Sequence, residues 1–345
     1  MTTRGPLSSA GALAAVLAVV TLALGCGLAG IDGQTRRAMT TQDDFLHAME
    51  HLSNWGRWGD DDGLGAANLI TPAKRKAAAA LVTEGRSVSL AHDIIQAPTP
   101  EGPWFLDREV VNISETGASD RYQYTGTYHG VIHSHLDSVA CHVMFEGVGY
   151  NGVTAEQVTA ADGCPQGSIH ELREGIFTRG VLFDATLLPG LDAGGGWLEP
   201  GTAVRAADLE ELERIQGVRV EEGDVILLHT GRWKRRAALG PWDYNEEGVA
   251  GYHSDVAYFL KERGVSFIGH DMWNDAFPHE YSDEVRLPLH RLALVSLGVG
   301  IFDNLDFDDL AATARELGRY EFLFVAAPLR IEMGMGSPLN PIATF

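Results

Sequence analysis

Residues 128 to 142 read Tyr-His-Gly-Val-Ile-His-Ser-His-Leu-Asp-Ser-Val-Ala-Cys-His, and no other stretch constrains the fold of this chain as strongly. Four of the 13 histidines lie here, where even scattering would put about half a histidine. From Tyr128 to Leu136 there is no proline, and Tyr128, Val131 and Ile132 interleave with polar residues, a pattern that predicts a strand. Alternate residues of a strand share a face, which would set His129, His133, His135 and Asp137 on one side and Gly130, Ile132, Ser134 and Leu136 on the other. Imidazole and carboxylate are donors that Zn²⁺ and Mn²⁺ accept at roughly 2 Å. Positions two apart, roughly 6.6 Å, can reach one ion, whereas His133 and Asp137, roughly 13 Å apart on a flat strand, strain that reach. Either the strand bends, or two metals bind, or further ligands arrive from elsewhere in the chain.

The stretch resembles the signature of the cyclase family of metal-dependent hydrolases, written H-x-G-T-H-x-D-x-P-x-H, which includes bacterial kynurenine formamidases and isatin hydrolases. Ser134-His135-Leu136-Asp137 matches its middle. Val131 stands at the family's first histidine, His133 at its glycine, Val139 at its proline and Cys141 at its last histidine, with His142 one residue beyond. A longer branch carries Tyr128-His129-Gly130 followed by His133, Ser134, His135 and Asp137, and the chain is most similar to that branch. Either His129 or His133 then takes the place of the missing first ligand. A second stretch, Pro288-Leu289-His290-Arg291 through Ile301-Phe302-Asp303-Asn304-Leu305, matches the region that supplies a distant histidine and an acid. His290 is that histidine, and Asp303 replaces the family's glutamate with one methylene fewer. Gly269-His270-Asp271 is similar to the family's Gly-x-Asp, whose acid shapes the site without binding metal; His270 is a lesser ligand candidate. With the closing segment from Glu321 to Pro338, the resemblance covers roughly residues 53 to 343.

The resemblance implies a mixed sheet in a β/β/α layered α/β domain, often assembled as a homodimer or homotetramer. It implies one or two divalent ions per chain, Zn²⁺ or Mn²⁺, with His133, His135, Asp137, Asp303 and His129 as candidate ligands. Such an ion lowers the pKa of a bound water to about 7 and so supplies a nucleophile at neutral pH. Cleaving a C–N bond also requires a proton for the leaving nitrogen, which a histidine must carry; His142 is the first choice for this shuttle and His290 the second. The expected reaction is hydrolysis of a non-peptide C–N bond, the formamide or cyclic amide of an aromatic or cyclic compound, as in an arylformamidase. A lactonase or dehydratase would use the same site, and an exported metal-binding lipoprotein would hold the same residues without catalysis. The proline-rich loop 95–107, with Trp104 and Phe105, and with Trp55 from an earlier segment, is the expected wall for a flat apolar substrate.

Elsewhere the chain alternates strand and helix patterns, which argues for α/β architecture. Thr71 caps a helix that starts at Pro72. Strands are expected at 88–91, 178–184, 224–231 and 265–269, and helices at 207–216 and 253–263, the last closed by Gly264. His229, at the carboxyl end of an apolar run, is read as structural. Asp60-Asp61-Asp62-Gly63 lacks the spacing of a calcium loop and reads as a solvated turn. No linker, charge block or repeat divides the region after residue 52, so 53–345 is expected to be one catalytic domain. Residues 10 to 24 are uncharged and apolar, which fits a signal or anchor within 1–30. Leu24-Gly25-Cys26 resembles a lipoprotein cleavage site, so the protein is expected to be exported, periplasmic or at the cell surface, with Cys26 as the acylated residue. Residues 31–52 are expected to be a tether and N-terminal extension. A net charge of −21 argues against nucleic-acid partners, and against membrane contact other than through the N-terminal segment. Cys141 and Cys164 either pair, in an oxidising compartment, or stand as free thiols.

Overall fold

The computed structural model describes residues 36–345. The expected signal segment, Cys26 and the beginning of the tether lie outside the described residues. Continuous apolar runs such as Val225-Ile226-Leu227-Leu228 are covered on both faces and so build the middle of a nine-stranded sheet.

In chain order the strands are β1 (Ser87–Ser89), β2 (Leu106–Ser114), β3 (Gly117–Tyr124), β4 (His135–Asp137), β5 (Ile176–Asp184), β6 (Ala203–Val204) and β7 (Val225–His229). They continue as β8 (Gly251–Tyr252), β9 (Phe267–His270), β10 (Gly300–Asp303), β11 (Glu321–Ala326), β12 (Gly336–Pro338) and β13 (Ile342–Thr344). The main sheet runs β1-β13-β11-β5-β7-β9-β10-β4-β12. β5, β7, β9 and β10 are parallel, and antiparallel strands flank them on both sides, so the sheet is mixed as expected. β2 and β3 pair only with each other and form a largely exposed hairpin.

The helices are α1 (Gln42–His51), α2 (Pro72–Ala79), α3 (Ala206–Gln216), α4 (Arg232–Leu239), α5 (Tyr244–Glu247), α6 (Val256–Arg263), α7 (Pro288–His290) and α8 (Asp308–Leu317). Ile226 and Leu228 of β7 face a core with Leu209 and Leu212 of α3 and Phe259 of α6, while Leu227 faces Leu310 and Ala314 of α8. Helices thus cover both faces, each fed by alternate residues of the same strands. Among the described residues no helix is long and apolar enough to cross a membrane.

Three expectations need correction. α1 belongs to the unit that spans Arg36–Phe345, so the domain begins before residue 53. Phe45 and Ala48 on one face of α1, with Met39 and Leu52 at its ends, are buried, and a capping box of Thr41 and Asp44 starts the helix. The helix expected over 253–263 begins at Val256, because the ring of His253 is held by Arg205, Asp255 and Glu280. Most consequential for the site, the strand expected from Tyr128 to Leu136 is confined to His135–Asp137. Asn304 explains the departure: its side-chain amide donates to the carbonyl of Gly130, and its own carbonyl accepts from Ser134 Oγ at 2.6 Å. Both bonds draw residues 130–134 off the sheet, with Gly130 at φ 117°, a conformation suited to glycine.

Candidate metal centre

β4 and β10 place three donors by strand pairing alone. His135 lies opposite Asp303 in the antiparallel register, and Asp137 is two residues along, on the same face. Leu136 and Phe302 between them point into the core. Donor atoms of His135, Asp137 and Asp303 lie within 4.8 Å of one another, and all three residues are buried.

The bend supplies a second group. On a straight strand His129 and Asp137 would stand roughly 26 Å apart. Instead His129 Nδ1 lies 2.8 Å from Asp137 Oδ1. His142 arrives from the irregular segment beyond β4, stacks on His129 with ring centroids 3.8 Å apart, and sets Nε2 3.5 Å from Asp137 Oδ2. His129, Asp137 and His142 form a second set whose donors lie within 4.8 Å of one another, and Asp137 belongs to both sets. Asp137 Oδ2 is buried and has no hydrogen-bond partner. An orphaned carboxylate oxygen amid three imidazoles is what a divalent cation would satisfy, so these residues fit the metal that the sequence implied. Burial alone would raise the Asp137 carboxyl, but His142, His135 and His129 outweigh it and hold the group far below its ordinary value. Burial pushes the His142 imidazole down to about 4 although Asp137 pulls the other way, so its ring is neutral near pH 7, as a ligand must be.

The remaining candidates fall around these two sets. His290 is buried at the end of α7, with Nδ1 2.5 Å from Asp275 and Nε2 3.1 Å from Asp303. Burial opposes its charge, yet Asp303 and Asp275 hold it well above the ordinary histidine value. His133 joins neither set. It is 3% exposed, both ring nitrogens lack partners, and its ring meets the edge of Tyr124 at 4.9 Å. Burial, then His135, pushes it down to about 4. His270 is buried at the end of β9, where Nδ1 accepts from the backbone N–H of Met272.

Two cavities meet at His133. One, of about 110 Å³, is lined by His129, Trp104, Gly130 and Tyr244. The other, of about 500 Å³, is lined by His92, Leu106, Tyr122, Tyr124, Ile132, Leu329 and Leu339. Trp104 therefore does border the site, whereas Phe105 lines neither cavity. Trp55 instead donates its indole N–H to Val295 O at 2.6 Å and borders neither cavity. The β2–β3 hairpin, for which the turn Ser114-Glu115-Thr116-Gly117 between two runs was the overlooked signal, adds Leu106, Tyr122 and Tyr124 to the lining of the larger cavity. Asp275 and Asn274, which hold His290 and Asp303, were also missed, and no local pattern marks them.

Asp271 accepts from the backbone N–H groups of Thr230, Gly231 and Arg232 and so holds the start of α4. Arg232 in turn donates to Val131 O at 2.8 Å, inside the bend. The acid thus reaches the bend at one remove, through Arg232. Cys141 and Cys164, left open by the sequence, are joined in a disulfide.

A mixed α/β sheet that gathers histidines and aspartates at the end of an antiparallel strand pair defines a metal-site α/β protein. The cyclase family model matches residues 88–275, more than half of the chain, and the chain belongs to that family. A crystal structure described as a novel cyclase is 29% identical over 85% of this chain and 100% of its own, with a TM-score of 0.72. Isatin hydrolase A from Ralstonia solanacearum is 18% identical over 79% of this chain and 97% of its own, with a TM-score of 0.51. An isatin hydrolase bound to the product analogue thioisatinate is 16% identical over 80% and 97%, with a TM-score of 0.50. Comparison with curated proteins finds no match.

Proposed function

We propose that this protein is a metal-dependent hydrolase that cleaves a non-peptide C–N bond, in a formamide or cyclic amide carrying an aromatic or apolar group. The observation that carries the reading is the orphaned Asp137 Oδ2, shared by two sets of potential ligands, of which His129 lines the cavity of about 110 Å³ that meets the apolar one of about 500 Å³ at His133. His129, His135, Asp137, His142 and Asp303 would hold the ion. When bound, a divalent ion polarises a carbonyl and supplies a nucleophile from water at neutral pH.

The chain's own residues supply the rest. Leu106, Ile132, Leu329 and Leu339 give an apolar bed, and Tyr122 and Tyr124 give flat faces. His133 lines both cavities with two unpaired ring nitrogens, and is the residue we assign to contact with the reacting group. A neutral imidazole there can accept a proton from water and return it to the leaving nitrogen. This moves the shuttle from His142 to His133 and gives His142 a ligand's place. His290 keeps Asp303 oriented, itself fixed by Asp275. The disulfide supports export, since such bonds persist in oxidising compartments.

The test separates the two roles. His142→Ala is expected to lower Mn²⁺ content, whereas His133→Ala keeps the metal and loses about 10²-fold or more of turnover on formamide and cyclic amide substrates. Full turnover by His133→Ala would reject its assignment. A wild-type protein that takes up metal but turns over no amide would move the reading to lactone hydrolysis or dehydration.

A further inference from the structure

We propose that the Cys141–Cys164 disulfide is a positioning element for His142 and so sets the metal affinity of the His129–Asp137–His142 set. The inference rests on the reading of that set as a metal site.

The histidines of the centre are oriented in different ways. His135 Nδ1 is held by the carbonyl of His133 at 2.7 Å, and His290 Nδ1 by Asp275 at 2.5 Å. His129 Nδ1 faces Asp137. Metal-binding histidines are normally fixed by such a bond from the second nitrogen. His142 has no hydrogen-bonded orienting partner among the described residues. Its ring is in contact with His129 by stacking and with Asp137 through Nε2, both of them members of the set it would complete. Its orientation must therefore come from its backbone.

That backbone is irregular beyond β4, and three constraints act on it before His142, the first being the bond from Ser138 N to Met335 O at 2.9 Å. Ala140 is wedged between Gly149 and Gly167: a Cβ on Gly149 would fall 1.7 Å from Ala140 O, and one on Gly167 would fall 2.6 Å from Ala140 Cβ. The last tie is the disulfide at Cys141, immediately before His142. Its other end is well anchored. Cys164 N donates to Met333 O at 2.8 Å, and Gln166 Nε2 donates to the carbonyls of Asp60 and Asp62. Ile169 N donates to Gly334 O, two residues before the strand that pairs with Asp137. The disulfide thus links His142 to the same β12 edge that flanks Asp137, and a covalent tie stands where His135 and His290 have a hydrogen bond from outside the set.

Mn²⁺ is the suitable probe, because thiolates freed when the disulfide is reduced compete for Zn²⁺ but hardly for Mn²⁺. Free Mn²⁺ would be read by electron paramagnetic resonance during titration of four forms: the wild type, Cys141→Ala with Cys164→Ala, His142→Ala, and the triple variant. The expected result is an affinity lower by about 10- to 100-fold in the double-cysteine variant, the range typical for loss of an orienting partner. His142→Ala should then cost little more in that background than the cysteine changes cost alone. A folded double-cysteine variant with wild-type affinity, and a full further loss on adding His142→Ala, would overturn the proposal. If the variant does not fold, Mn²⁺-loaded wild type is treated with a phosphine reductant, which takes an oxygen from water as the disulfide gains two electrons and two protons. Mn²⁺ release while circular dichroism stays native supports the tie; retention overturns it. A wild type that binds no Mn²⁺ would overturn the metal reading itself, and wild-type affinity in His142→Ala would overturn only the place of His142.

Discussion

His229 illustrates how a single residue can look catalytic and be structural. It is buried at the end of β7, with Nδ1 3.0 Å from Asp184 and Nε2 2.9 Å from Asp308. Burial pushes its imidazole down, but the two carboxylates more than reverse this and raise it from 6.5 to about 10. A folded value above the unfolded one means the charged ring stabilises the protein fully below pH 6.5 and progressively less as pH rises through about 10. Asp184, lowered from 3.8 to about 2, sets the acid limit: its contribution is present above pH 3.8 and is lost as pH falls through about 2. The difference in unfolding free energy between wild type and His229→Leu is therefore expected to be flat from about pH 4 to 6.5 and to shrink from there to pH 10, as measured by urea denaturation. A difference that grows with pH would mean that the ring is buried neutral. At this scale much of the centre was legible. Alternation puts His135 and Asp137 on one face, and the resemblance to the cyclase family points to Asp303, which the strand register sets opposite His135. His133 was not, because its separation from the ligand set depends on Asn304, a residue with φ 56° whose clamp on Gly130 leaves no trace in the local pattern.

Elements were legible in proportion to their apolar patterning. β5 and β7 are buried throughout and were found to within two residues, whereas β2 and β3 are mostly exposed on both faces and offer no periodic signal. The loop before β2 is fixed by charge and not by its prolines. Glu101 is 2% exposed and accepts from Arg232 Nη2 at 2.9 Å and from Arg236 Nε at 2.8 Å, both on α4. Removing one partner of a buried pair leaves the other desolvated and uncompensated, at a cost of about 3–5 kcal/mol. Glu101→Ala is expected to lose stability in that range by urea denaturation. Because Arg232 also holds Val131 O, amide exchange across residues 129–134 should rise with it. A loss below about 1 kcal/mol would show that water or a neighbouring carboxylate replaces the pair.

For the molecule as a whole, metal and fold are linked through β4 and β10, whose pairing brings His135 opposite Asp303. A ligand that binds only the native state stabilises it by about 2.7 kcal/mol at a hundredfold excess over Kd. Mn²⁺ at that excess is expected to raise Tm by roughly 4 °C, and a chelator to reverse the gain, in a melt followed by circular dichroism. A Tm indifferent to both would separate the donors from the fold.

β13 carries a consequence for biosynthesis. Its strand lies between β1 and β11, with Ser87 opposite Thr344, 257 residues later. Ser87–Ser89 therefore has no neighbour in the sheet until Ile342–Thr344 has been made. The sheet cannot grow from one end as the chain emerges from the ribosome; that edge waits for the last strand and then closes in a single late event. The central strands β5, β7, β9 and β10 can pair well before that, so it is this edge, and not the middle of the sheet, that stays open until Ile342–Thr344 is made.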